Sequence, residues 1–160
     1  MKKFKYSQLS QDGDADTKSG ICRGILDALP DWFELQDGID HYCEAVRSEP
    51  FWAVYDGDSA VGFIALKEHN AYTAEIDVMA ILPEYHRLGI GKRLTEAVSE
   101  YCRERGRSVL ILKTLDYSSP DEYYARTREF YLAMGFLPLQ VLDGYWNENN
   151  PCLLMGKWLG

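Results

Sequence analysis

The segment Pro83-Glu84-Tyr85-His86-Arg87-Leu88-Gly89-Ile90-Gly91-Lys92-Arg93-Leu94 follows a run that alternates like a strand and precedes one that repeats like a helix. In the run before it, Ile76, Val78, Ala80 and Leu82 fall on one face and Glu75, Asp77, Met79 and Ile81 on the other. Pro83 ends that strand. In the run after it, Leu94, Ala97, Val98, Tyr101 and Cys102 make one helical stripe. Amides at a helix N-terminus point outward and carry partial positive charge, so such a turn can hold a phosphate. Gly89 and Gly91 let the backbone come close to a ligand. Arg87, Lys92 and Arg93 add positive charge. The plain alternative is a glycine turn that only joins a strand to a helix. Two familiar phosphate loops do not fit. Leu94 stands where a Rossmann fingerprint needs its third glycine, and His86 and Arg93 stand where a Walker A loop needs a glycine and a hydroxyl residue.

The remainder of the 160-residue chain reads as one domain, residues 1–160, with no repeat and no long linker. Ser7 to Ser19 is polar and reads as a loop, preceded by a short strand near Phe4. Ile21, Ile25 and Leu29 mark a first helix that Pro30 ends. Ile39, Tyr42, Cys43 and Val46 mark a second that Pro50 stops. Phe51 to Tyr55 and Ala60 to Leu66 are strands joined by the turn Asp56-Gly57-Asp58-Ser59. After the long helix, with Gly106 as its stop, Val109 to Thr114 is a buried strand. Ser119-Pro120-Asp121-Glu122 has the form of a helix start, with Ser119 as N-cap, Pro120 at N1 and Glu122 closing a capping box. That helix runs to Met134 and stops at Gly135. Strands at Leu137 to Leu142 and Cys152 to Trp158 close the chain. The order predicts a mixed α/β fold around a central sheet.

Lys and Arg number 17 against 25 Asp and Glu, a formal net charge of -8. Such a surface repels nucleic-acid backbones and anionic lipid, and neither is expected as a partner. No apolar run is long enough to span a membrane, and the basic start leads into no apolar stretch, so neither a membrane segment nor a signal peptide is expected. Cys22, Cys43, Cys102 and Cys152 are dispersed, and His41, His69 and His86 are not at metal-ligand spacing. The cysteines read as reduced core residues of a cytoplasmic protein, and no metal is implied. The run Asp31, Glu34, Asp37 and Asp40 could lend negative potential to a binding entrance, although such runs are commonly solvated helix faces.

The loop His86-Arg87-Leu88-Gly89-Ile90-Gly91 resembles the acyl-CoA loop of the GNAT superfamily of N-acetyltransferases, Gln/Arg-x-x-Gly-x-Gly/Ala, with His86 in the first place. Tyr131-Leu132-Ala133-Met134-Gly135-Phe136 resembles that superfamily's Tyr-x-x-x-Gly-Phe. The resemblance runs from about Phe51 to Phe136. It implies an α/β fold with a mixed, mostly antiparallel sheet of about six or seven strands and about four helices. It also implies acetyl transfer from acetyl-CoA directly to a primary amine of a small molecule or protein. The pantetheine arm would pair with Met79, Ala80 and Ile81. The pyrophosphate would sit on the amides of Arg87, Leu88, Gly89, Ile90, Gly91 and Lys92. Tyr131 would protonate the departing thiolate. Glu75, or a water it orients, would take the amine proton, with Asp77 as the other carboxylate on that face. Tyr124 stands where several relatives carry an asparagine that contacts the cofactor, and Lys113 where some protein-acetylating members carry a glutamate. The rival reading is a non-catalytic module that senses acyl-CoA. The acceptor is not legible, and Trp146 and Trp158 leave room for a homodimer contact.

Overall fold

Seven strands and four α-helices follow one another in the order expected, in a computed structural model that describes residues 3–33 and 36–160. The strands are β1 (Lys5–Leu9), β2 (Phe51–Asp56), β3 (Ser59–Glu68), β4 (Thr73–Ile81), β5 (Val109–Leu115), β6 (Leu137–Asn147) and β7 (Asn150–Trp158). The helices are α1 (Ala15–Asp27), α2 (Gln36–Ala45), α3 (Ile90–Glu104) and α4 (Glu122–Ala133). They form one mixed sheet in the order β1-β2-β3-β4-β5-β7-β6. The chain divides into two compact units, residues 1–67 with 77–98 and residues 68–76 with 99–160.

In the first unit β1, β2 and β3 are antiparallel neighbours, with Leu9 opposite Phe51 and Ala53 opposite Phe63. Alternate residues of β2 and β3 (Phe51, Ala53, Phe63, Ala65) join Val78 and Ala80 of β4 in a core closed by Cys22, Ile25 and Leu26 of α1, Leu29 just after it, and Ile39 and Cys43 of α2. Phe51 and Phe63 stack with ring centroids 5.2 Å apart. Gly62 permits the close approach here: a Cβ would stand 2.9 Å from Val54 Cγ1 and 3.1 Å from Ile81 Cγ1.

In the second unit β4 and β5 run parallel from Thr73 opposite Val109, and β5, β7 and β6 are antiparallel. Arg128 of α4 is buried and donates from Nη1 to the carbonyls of Leu115 (2.7 Å) and Asp116 (3.2 Å), which ties the helix to the end of β5. All four cysteines are buried free thiols.

Three boundaries differ from expectation. Ser7 to Ser19 is not a loop throughout: it holds part of β1, because pairing to β2 outweighs its polar composition, and the first turns of α1. The N-cap of α4 is Asp121 and not Ser119. The Asp121 carboxylate accepts the amides of Tyr123 (2.9 Å) and Tyr124 (3.1 Å), which a charged acceptor does better than a hydroxyl. The last two strands are longer than read and meet at Asn147–Asn150, where Asn147 Oδ1 accepts the Asn149 amide at 2.9 Å.

Candidate active site

Pro83 removes a ladder donor at the end of β4, and a 3₁₀ turn, Pro83–Tyr85, carries the chain toward α3. Tyr85 is fixed there by its hydroxyl, which donates to Asp56 Oδ2 at 2.6 Å. His86 Nε2 lies 2.6 Å from the Ile81 carbonyl oxygen, and its ring meets Trp32 edge-on at 5.7 Å. His86 is exposed as expected of a loop residue, yet its side chain is docked on the strand.

Beyond His86 the backbone turns left-handed twice, at Arg87 (φ 62) and Gly89 (φ 82). Arg87 is the one described non-glycine residue with positive φ. That conformation costs of the order of 1–3 kcal/mol and collects at ligand-binding turns. The Arg93 amide donates to the Gly89 carbonyl at 3.1 Å as α3 begins. A helix's first amides have no partner within the helix, which leaves those of Ile90, Gly91 and Lys92 without an intrahelical acceptor. A diphosphate fits this donor set, since Gly89 has no neighbouring atom within 4 Å of where a Cβ would stand. Thr95 braces the first turn by donating to the Gly91 carbonyl at 2.8 Å, and it approaches Met79 Sδ at 3.9 Å. Arg93 is engaged elsewhere, its guanidinium 4.2 Å from the centre of the Tyr6 ring.

The carboxylates of β4 have separate partners. Asp77, with its side chain 6% exposed, lies 3.4 Å from Lys67 Nζ. It also hydrogen-bonds Glu49, a residue that sequence reasoning missed. Glu49 Oε1 and Asp77 Oδ2 are buried, and neither meets a donor from any other described group. A proton on Glu49 is what lets one carboxyl group donate to the other. Burial, then the hydrogen bond and charge of Asp77, push the Glu49 carboxyl up to about 9, while Lys67 and Lys18 pull the other way. Lys18 is fully buried and donates to the carbonyls of Gln11 (2.7 Å) and Glu49 (2.9 Å). Nothing in the spacing of Lys18 or Glu49 marks them in advance, because the two meet through tertiary packing.

Glu75, with its side chain 5% exposed, accepts Lys113 Nζ on both oxygens (3.0 and 2.9 Å) and has His69 Nε2 2.6 Å from Oε1. Burial pulls the Lys113 amine down, but the hydrogen bond and charge of Glu75 outweigh it and hold the amine above its ordinary value. Parallel pairing explains the contact: Glu75 stands opposite Ile111 in register, and Lys113 follows farther along β5.

Tyr131 is buried on α4, edge-to-face with Phe130 (5.4 Å) and Phe136 (5.7 Å). Gly135 (φ 96) turns the chain so that the Phe136 amide donates to the Tyr131 carbonyl at 3.0 Å. The Gly-Phe part of that motif is therefore a helix stop in its own right. A second feature missed in sequence is a cavity of about 490 Å³ lined by Asp16, Gly20, Gly24, Ala60 and Leu82 among others. Its only sequence signal is two glycines one turn apart on α1. Of the acidic run, Asp40 is paired with Arg23 at 2.7 Å, and Glu34 lies outside the described residues. No described group of residues could hold a metal ion, and no described helix is long and apolar enough to cross a membrane.

The profile of the acetyltransferase (GNAT) family matches residues 21–136. The chain is 27% identical to the uncharacterised N-acetyltransferase YsnE of Bacillus subtilis (strain 168) over 107 residues, 67% of this chain and 68% of that protein. Among solved structures it is similar to an aminoglycoside 6'-N-acetyltransferase complexed with coenzyme A (TM-score 0.75, 20% identity, 98% of this chain and 97% of that one). It is equally similar to the ribosomal-protein-S18-alanine N-acetyltransferase of Escherichia coli (TM-score 0.76, 15% identity, 99% of this chain and 95% of that one). At such identities these two likenesses speak for the fold alone. With the family profile spanning the strand, the glycine turn and the helix that follows, the chain belongs to the GNAT acetyltransferase family and is an acyltransferase.

Proposed function

We propose that the chain transfers acetyl from acetyl-CoA directly to a primary amine of a small molecule or protein. The observation that supports this reading is the turn into α3, left-handed at Arg87 and Gly89, which leads into helix amides that lack an intrahelical acceptor and suit a diphosphate. Bound acetyl-CoA supplies an activated acetyl group as its thioester. The amides of residues 87–92 hold the diphosphate, with Arg87 and Lys92 adding charge. Met79, Ala80 and Ile81 offer strand backbone to the pantetheine arm and polarise the thioester carbonyl. The amine must lose a proton to attack. Glu75 is the base in this reading, oriented by its two hydrogen bonds from Lys113, with Asp77 the alternative. Tyr131 gives its phenolic proton to the sulfur as the carbon–sulfur bond breaks. A single domain over residues 1–160 is part of the proposal, supported by a family match that runs through both compact units.

The test is thiol release measured across a panel of amines with the wild type and Tyr131→Phe. Amine-dependent release is expected, with kcat about 10²-fold lower in the variant and the KM for acetyl-CoA little changed. An unchanged kcat removes Tyr131 from the role. Slow thioester cleavage that no amine accelerates contradicts transfer altogether and favours a sensor.

A further inference from the structure

The Glu75 carboxylate is nearly sealed from solvent, so a proton it receives has to leave through a neighbour. Among the described residues, two side chains hydrogen-bond it. Lys113 lies on both oxygens as an ammonium, a donor with no lone pair to accept with. The other is His69, whose Nε2 is 2.6 Å from Oε1 and whose side chain is 36% exposed, against 5% for Glu75. Imidazole can accept on one nitrogen and release from the other. The ring is placed by a tight bend: the His69 amide donates to the Thr73 carbonyl at 3.1 Å, and Asn70 Oδ1 accepts the amides of Tyr72 (2.8 Å) and Thr73 (3.0 Å). Two further titratable groups flank the pair, and one of them, Tyr145, hydrogen-bonds Lys113, which as an ammonium has no lone pair to accept the proton of Glu75. Tyr145 of β6 faces Lys113, the amine 5.0 Å from its ring centre, and Cys152 of β7 is a buried thiol that burial pushes up to about 11.

We infer that His69 is the proton exit of the site, passing to solvent the proton that Glu75 takes from the acceptor ammonium. The inference rests on Glu75 being the base. The proton moves from the amine nitrogen to a Glu75 oxygen, leaving the nitrogen lone pair free to attack. It then moves from Oε1 to Nε2 of a neutral ring protonated on Nδ1. The imidazolium releases the Nδ1 proton to water, and Glu75 is again a carboxylate. The ring, now protonated on Nε2, returns to the Nδ1–H form before the next turnover by turning toward solvent, taking a proton from water on Nδ1 and giving one up from Nε2.

Steady-state turnover is to be measured at low buffer concentration, with and without added imidazole, for the wild type, His69→Ala, His69→Gln and Glu75→Gln. His69→Ala should lose about tenfold or more in kcat at unchanged acetyl-CoA affinity and recover with imidazole. His69→Gln keeps a hydrogen bond to Glu75 but cannot carry a proton, and should be as slow as His69→Ala. Glu75→Gln should be slow and stay slow with imidazole. Wild-type turnover in His69→Ala, failure of imidazole to restore it, or recovery in His69→Gln each overturns the relay, while a slow Glu75→Gln leaves the base in place. Wild-type turnover in Glu75→Gln overturns the base reading and the relay with it.

Discussion

Glu49 and Asp77 bury two carboxyl groups against each other in the first unit, and one proton between them is what makes that tolerable. The folded chain keeps Glu49 protonated up to about pH 9, whereas an unfolded chain releases that proton near the ordinary value of 4.5. Between those values the folded state holds one proton more, so stability from this group is whole below about pH 4.5 and declines as the pH rises toward 9. Glu49→Gln cannot ionise and keeps an amide donor for Asp77. Its melting temperature should therefore fall less than the wild type's from acid toward pH 9. Thermal melts across that range check this, and parallel pH dependences in the two proteins would contradict it. At this scale the sequence was least informative. Glu75 and Asp77 were legible as candidate carboxylates, but their partners were not. Lys113 comes from β5, Glu49 from the turn before β2, and Lys67 and His69 from the end of β3 and the bend after it, and only the folded backbone shows which side chains meet.

Elements were more legible, because a period of two or of 3.6 survives in the sequence whatever the tertiary context. The strand, turn and helix from Ala74 to Cys102 came through with boundaries nearly unchanged, and Gly57, Gly89, Gly106 and Gly135 all take the positive φ their turns require. Ends depend on finer chemistry. At α4 both Ser119 and Asp121 are cap-type residues, and only the geometry shows which oxygen reaches the free amides. Asp121→Ala should cost about 1 kcal/mol of stability, and Ser119→Ala, whose hydroxyl oxygen lies 3.5 Å from the Asp121 amide, clearly less. Chemical denaturation of the two variants measures this, and a larger loss for Ser119→Ala would restore the expected cap. The length of β6 was also missed. Asp143-Gly144 reads as a turn, and Gly144 does take a positive φ (74), but there it only shifts the register of a strand that runs on to Asn147, where the hairpin turn is built from Asn147, Asn149 and Asn150.

For the whole molecule, two short motifs at the right separation implied the family, and the profile match over residues 21–136 bears that out. The acceptor was illegible for a physical reason. Solved structures of this fold include one that acts on an aminoglycoside and one on a ribosomal protein, so sheet and loop alone do not choose between them. A net charge of -8 with a cationic turn at Arg87 and Lys92 is what a protein that holds an anionic cosubstrate and draws in a cationic amine would carry. The most direct measurement is calorimetric titration of the wild type and Gly89→Val with acetyl-CoA. Gly89 has open space around it, so valine acts only by opposing the backbone φ of 82 on which the turn depends. The account predicts a dissociation constant on the order of micromolar for the wild type and at least about tenfold weaker binding for the variant. Equal affinities, or no binding by the wild type at millimolar acetyl-CoA, would contradict it.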